Sequence, residues 1–113
     1  MTVHHLVLLR YDSDADAATR QEVHARLLAL KDDCLRNGEP YITSLTGGHQ
    51  NSREPAADRW DDGFVMTFAS TDDRDYYIGL DPADADPVHR AFVEFASPHL
   101  DDVAVVDFAA DDR

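Results

Sequence analysis

The chain is short of cysteine, of basic side chains and of long apolar runs. One cysteine, Cys34, in 113 residues leaves no partner for an intrachain disulfide and no basis for a cysteine-built metal cluster. It falls in step with apolar neighbours and reads as a small buried hydrophobe. Ten Lys and Arg stand against 23 Asp and Glu, a net charge of −13, and no basic stripe relieves the acidity. Phosphate repels such a surface, which argues against nucleic acid and anionic membranes as partners. No apolar run approaches the roughly 20 residues that cross a bilayer. The opening Met1-Thr2-Val3-His4-His5 has neither the basic flank nor the cleavage site of a secretory signal. These absences lead us to expect a cytoplasmic protein of one domain, residues 1–113, with a polar tail from about residue 110.

Hydrophobic residues make up 43% of the chain, enough for an ordinary core. Val3 to Tyr11 reads as a strand, with Val3, His5, Val7, Leu9 and Tyr11 on one face and His4, Leu6, Leu8 and Arg10 on the other. Ser13 to Asp16 fits a capping box opening a helix that runs to about Leu35, on an apolar stripe of Val23, Leu27, Leu30 and Cys34. Asn37-Gly38 supplies its stop. Tyr41 to Thr46 reads as a second strand, ended or bulged by Gly47-Gly48, and His49 to Arg59 as a loop. Trp60 to Ala69 reads as a third strand. A short helix over Asp72 to Leu80 follows, capped by Ser70 or Thr71. A second follows behind the Asp86-Pro87 cap, with Val88, Ala91, Phe92, Phe95 and Ala96 inward. Val103 to Ala109 closes as a strand.

The order β-α-β-β-α-β specifies an α+β, ferredoxin-like protomer with helices on one face of an antiparallel sheet. The first and last strands carry apolar side chains on both faces. An uncovered apolar sheet face is a self-association site, and a second copy packed sheet to sheet is its simplest cover. We therefore expect a homodimer through the sheet face.

Six histidines invite a search for chemistry. None makes a tight metal-ligand spacing, so no metal is expected. His5 sits among hydrophobes on its strand, either as a core residue or as a functional one if a second titratable group approaches it. His89 falls in the first turn of a helix, where the dipole disfavours imidazolium; a neutral ring there suits a general base. Its bland alternative is a surface histidine. Asp62 lies between Trp60 and Phe64 on an apolar strand face. We read it as a solvated acid at a fraying strand start, the alternative being a buried acid with a partner. Of Tyr76 and Tyr77 we expect one to pack and the other to face solvent or a cavity, where a tyrosine hydroxyl can donate to an enolate.

Taken in order, Val3-His4-His5-Leu6-Val7-Leu8-Leu9, Gly47-Gly48, Phe64-Val65-Met66-Thr67-Phe68, Asp86-Pro87-Val88-His89-Arg90-Ala91-Phe92 and Val103-Ala104-Val105-Val106-Asp107-Phe108 resemble the stress-responsive dimeric α/β-barrel (Dabb) family. Within it the chain is similar to polyketide cyclases of the olivetolic acid cyclase type. The resemblance implies a dimeric α/β barrel with a small-molecule pocket and no cofactor. It implies His5, Tyr77 and His89 as catalytic residues, with Asp62, which falls where those cyclases carry another histidine, as a fourth that with Tyr77 can orient His89. Gly79 to Ala85 is longer than the family's link. His24, Leu27 and Phe64 are the candidate substrate-binding wall. The implied reaction is proton abstraction by His89 and cyclisation of a poly-β-keto chain. The alternatives are a non-catalytic stress or ligand-binding dimer, and a cofactor-free monooxygenase acting on an aromatic polyketide.

Overall fold

The computed structural model describes residues 1–110; the polar tail expected at Asp111, Asp112 and Arg113 lies outside the described residues. Strand β1, Val3–Tyr11, alternates strictly between buried odd positions and half-buried even ones, as its sequence pattern requires. Helix α1, Ala17–Asp33, buries Val23, Leu27 and Leu30. Its cap is Asp16, whose carboxylate accepts the Thr19 N–H at 2.8 Å. The expected Ser13 box does not form, because Asp12 accepts the Asp14 N–H and turns the backbone just ahead of the helix. Cys34 is the C-cap and is fully buried.

Asn37-Gly38 does not stop that helix. The two residues, at φ +54° and +79°, form the turn of a small hairpin between β2, Leu35–Arg36, and β3, Glu39–Pro40. Positive φ at both central positions is what a two-residue hairpin demands. Strand β4, Ile42–His49, runs through Gly47 and Gly48 instead of ending there. Gly47 lies directly across from Phe64, and a Cβ on it would stand 2.3 Å from the Phe64 ring. The glycine makes room for an aromatic ring, so the strand survives it.

Strand β5, Asp62–Phe68, begins two residues after the expected Trp60. Helix α2, Thr71–Ile78, is capped by Ser70 and closed by Gly79 at φ +69°. Helix α3, Pro87–Ala96, starts on Asp86 as its sequence indicates, but Val88 and Ala91 lie exposed while Ala96 is buried. The two exposed residues line a groove against Arg26 and Leu30 of α1. Strand β6, Leu100–Ala109, opens three residues earlier than Val103.

The sheet order is β4-β5-β1-β6, antiparallel throughout, which is the ferredoxin-like arrangement. The helix-side face buries Val3, Val7, Leu9, Phe64, Met66 and Phe68 with Val23, Leu27, Leu30 and Tyr77 from above. The register places Leu6, Val65 and Val106 side by side on the opposite face, with His4 and Phe108 beside them. That face is open: Val106 is 60% exposed and Phe108 49%. Among the described residues no helix is long and apolar enough to cross a membrane.

Candidate functional site

Two clusters of titratable side chains sit on the helix side of the sheet. The first is built on β1 and β6. His5 and Asp107 are cross-strand partners, and their side chains meet at 2.6 Å between Nδ1 and Oδ1. His5 is buried at 4% exposure. Arg74 of α2 holds the other carboxylate oxygen of Asp107 at 3.1 Å. The Asp107 carboxylate only accepts, so His5 donates its Nδ1–H to it and the ring is held in a fixed orientation.

Tyr77 comes down from α2 over His5, ring edge to face at 5.7 Å. The same Tyr77 ring stacks on His89, with centroids 3.9 Å apart. The structure thus brings His5, Tyr77 and His89 into one column. The long segment between the helices does not pull the last two apart. It folds back on itself, with the Asp86 N–H bonded to the Tyr76 carbonyl at 3.1 Å. Asp86 is buried, accepts the Tyr41 hydroxyl, and caps α3 through the Val88 and His89 N–H groups. His89 is thereby fixed in the first helical turn.

Burial lowers the His89 pKa below its ordinary value, and the nearby His5 acts in the same direction. The Tyr77 backbone and Asp86 oppose this without reversing it. Burial raises the Tyr77 hydroxyl, so it remains a proton donor at neutral pH. A neutral base therefore touches a neutral acid. Beside them opens a hollow of about 250 Å³, bounded by Tyr77, Ile78, Pro82, Ala85, His89 and Val93 among others.

Asp62 belongs to a second cluster. Met66 pairs with His5 and Asp62 with Leu9, so the two clusters lie four strand residues apart, about 13 Å. The reading of Asp62 as a solvated acid is overturned: it is 2% exposed and accepts from three side chains. They are the Tyr11 hydroxyl, His24 Nδ1 at 2.9 Å and His49 Nδ1 at 2.7 Å. Burial pushes the Asp62 carboxyl up, but the three hydrogen bonds outweigh it and hold the pKa below the usual carboxylate value. His24, His49 and Asp62 are the group of side chains here that could hold a metal ion.

Of the expected wall, Phe64 packs tilted against His24 in this second cluster, with ring centroids 4.9 Å apart, and Leu27 is buried in the core. Neither they nor His24 bounds the hollow beside His89. The register explains it, since Phe64 lies one strand step from Asp62 and faces Gly47. Sequence reasoning missed Asp107, Arg74, Tyr11 and His49. Asp107 carries the same signal as Asp62, one acid on an otherwise apolar strand face. His49 shares a face with Gly47 once β4 is known to continue.

The fold and these clusters define a ferredoxin-like α+β protein that holds its titratable groups between sheet and helices. The chain belongs to the Dabb family: the model of the stress responsive A/B barrel domain matches residues 3–110. No curated protein matches it in sequence. Its fold is shared by an Arabidopsis thaliana protein, at TM-score 0.81 and 20% identity, over 98% of this chain and 97% of the other. A hydroxynitrile lyase from Passiflora edulis follows at 0.77 and 19%, over 99% and 95%. A dimeric ferredoxin-like protein of unknown function from Jannaschia stands at 0.75 and 22%, over 97% and 100%. At these identities the likeness is one of fold.

Proposed function

We propose that the protein is a homodimer whose protomers each carry a small-molecule site at Tyr77 and His89, performing cofactor-independent acid–base chemistry of the lyase or cyclase type. The observation that supports it is the contact of a neutral, half-buried imidazole with a protonated tyrosine at the edge of a hollow. His89 takes the proton α to a carbonyl of a poly-β-keto chain, and Tyr77 donates to the enolate oxygen. The enolate carbon attacks a second carbonyl of the same chain, closing a carbon–carbon bond. The imidazolium then returns its proton to the new alkoxide. His5, held by Asp107, stands behind Tyr77 and positions it. The polyketide substrate follows the resemblance to olivetolic acid cyclase-type enzymes.

Cleavage of a cyanohydrin calls for the same kind of base, one that removes a hydroxyl proton as cyanide leaves, and a hydroxynitrile lyase shares this fold. Cyclisation of a linear poly-β-keto thioester and cleavage of a cyanohydrin are therefore the two assays. An oxygen electrode run on an anthrone separates both from a monooxygenase. A second reading, a non-catalytic ligand-binding dimer, is favoured by one observation: His5 bounds none of the described hollows and is enclosed by packed side chains. Ligand binding without turnover in all three assays selects it.

The open sheet face carries the dimer in this proposal. Val106→Asp would set two carboxylates in an apolar interface, each costing several kcal/mol to desolvate. Sedimentation at micromolar concentration is expected to give twice the mass of 12.6 kDa for the wild type and the single mass for the variant. A monomeric wild type overturns the interface.

A further inference from the structure

We infer that His24, His49 and Asp62 form a binding site for a divalent first-row metal ion of the zinc class, separate from the His89 column. The three side chains come from the middle of α1, the end of β4 and the start of β5. Such wide separation is why no ligand spacing shows in the sequence. One ligand atom from each lies within 4.8 Å of the others. Tetrahedral zinc with bonds of about 2.0–2.1 Å needs its ligand atoms about 3.3 Å apart, so the cluster closes on an ion by side-chain movements of about 1.5 Å or less. His49 is free to make the larger one, since its side chain is 77% exposed.

The donor chemistry selects the ion. Two imidazoles and a carboxylate suit zinc, cobalt or nickel, whereas magnesium and calcium call for oxygen throughout. A neutral imidazole whose Nδ1–H points at Asp62 needs only to shift that proton to Nε2 to free Nδ1, so the ion takes the place of the two bridging protons. Tyr11 remains hydrogen-bonded to the Asp62 carboxylate and orients it, the support that metal-bound carboxylates require.

Tyr11 and His24 both donate to Asp62 Oδ2, while the exposed His49 is the side chain that meets Oδ1, the oxygen left for an ion to take over. His49 and Asp62 also border a hollow of about 380 Å³ with Trp60, Gln50 and Asn51. That space leaves water or a ligand oxygen access to the remaining coordination positions, as in open rather than closed metal sites.

The test is calorimetric titration of zinc chloride into the full-length chain at neutral pH. Excess magnesium in the buffer occupies the diffuse acidic surface. One zinc per chain is expected, with Kd in the micromolar range or tighter. His49→Ala, which alters an exposed side chain and leaves the circular dichroism unchanged, is expected to weaken binding roughly tenfold or more. His24→Ala does the same, while His99→Ala, remote from the cluster, binds as the wild type does. Cobalt added in place of zinc gives visible d–d bands of four- or five-coordinate nitrogen–oxygen ligation in the wild type, and these are lost in His49→Ala. Absence of a saturable site, or equal affinity in wild type and His49→Ala, overturns the proposal.

Discussion

Asp86→Ala is expected to lower stability by about 2–4 kcal/mol, the largest loss of any single polar substitution outside the His24, His49 and Asp62 cluster. Two terms make it. The carboxylate caps α3 through two backbone N–H groups, and loss of such a cap costs about 1 kcal/mol. The Tyr41 hydroxyl, buried beneath Asp86, would lose its partner, at about 1–3 kcal/mol. Against a total of roughly 5–15 kcal/mol for a domain, that loss is large. Urea denaturation reads it as a fall in midpoint at constant slope. Asp86→Asn keeps the capping oxygen at the Oδ1 position and puts an amide N–H where Oδ2 stood, to which the Tyr41 hydroxyl can only accept, so it is expected to recover the cap and part of the rest. Tyr41→Phe removes the hydroxyl that would be orphaned and costs about 1 kcal/mol. An Asp86→Ala variant within 1 kcal/mol of wild type would remove Asp86 from the list of elements that fix His89.

What the sequence makes legible follows from which forces are local. The alternation of β1, the Ser70 and Asp86 caps and the stripe of α1 depend on neighbours a few residues away, and their types are right to within a few residues. The ferredoxin-like order follows from them. Gly47-Gly48 misleads because glycine ends a strand only if nothing needs the space, and here the Phe64 ring does. Asn37-Gly38 fits a helix stop and a hairpin turn equally well by local preference. The pairing of Leu35 with Pro40 decides it, and that pairing is tertiary.

The two site clusters show the same division. Strand and helix position single out His5 and His89, and the family resemblance selects Tyr77 over Tyr76, but their column depends on the sheet register and on the fold-back of the 79–85 segment. Asp62 misleads because a carboxylate on an apolar strand face has two opposite fates, and its partners determine which. Those partners, Tyr11, His24 and His49, lie 51, 38 and 13 residues away. Sequence pattern locates an unusual residue; only the fold locates what it is paired with.

His89→Ala is expected to lower kcat/KM for cyclisation by about 10²–10⁴, the range a positioned general base contributes. The stability of the variant is the control: His89 is half-buried, so the fold survives its truncation and the loss reads as chemistry. Tyr77→Phe keeps the stacked ring and removes only the donor, for an expected loss of about 10². The pH dependence makes the assignment specific. Burial sets the folded pKa of His89 below 6.5, so the base remains unprotonated through neutrality. The acid limb of kcat/KM should therefore fall below pH 6.5, with the rate dropping as pH decreases through the folded pKa. The same shift links to stability. The folded chain binds the proton less readily than the unfolded one, so the His89 contribution is present above pH 6.5 and is lost as pH falls through the folded pKa. His89→Gln should remove that share of the acid slope in urea midpoints, and the acid limb of activity with it. Turnover of the poly-β-keto thioester that is unchanged in His89→Ala would leave the column intact as structure and end its role as the base.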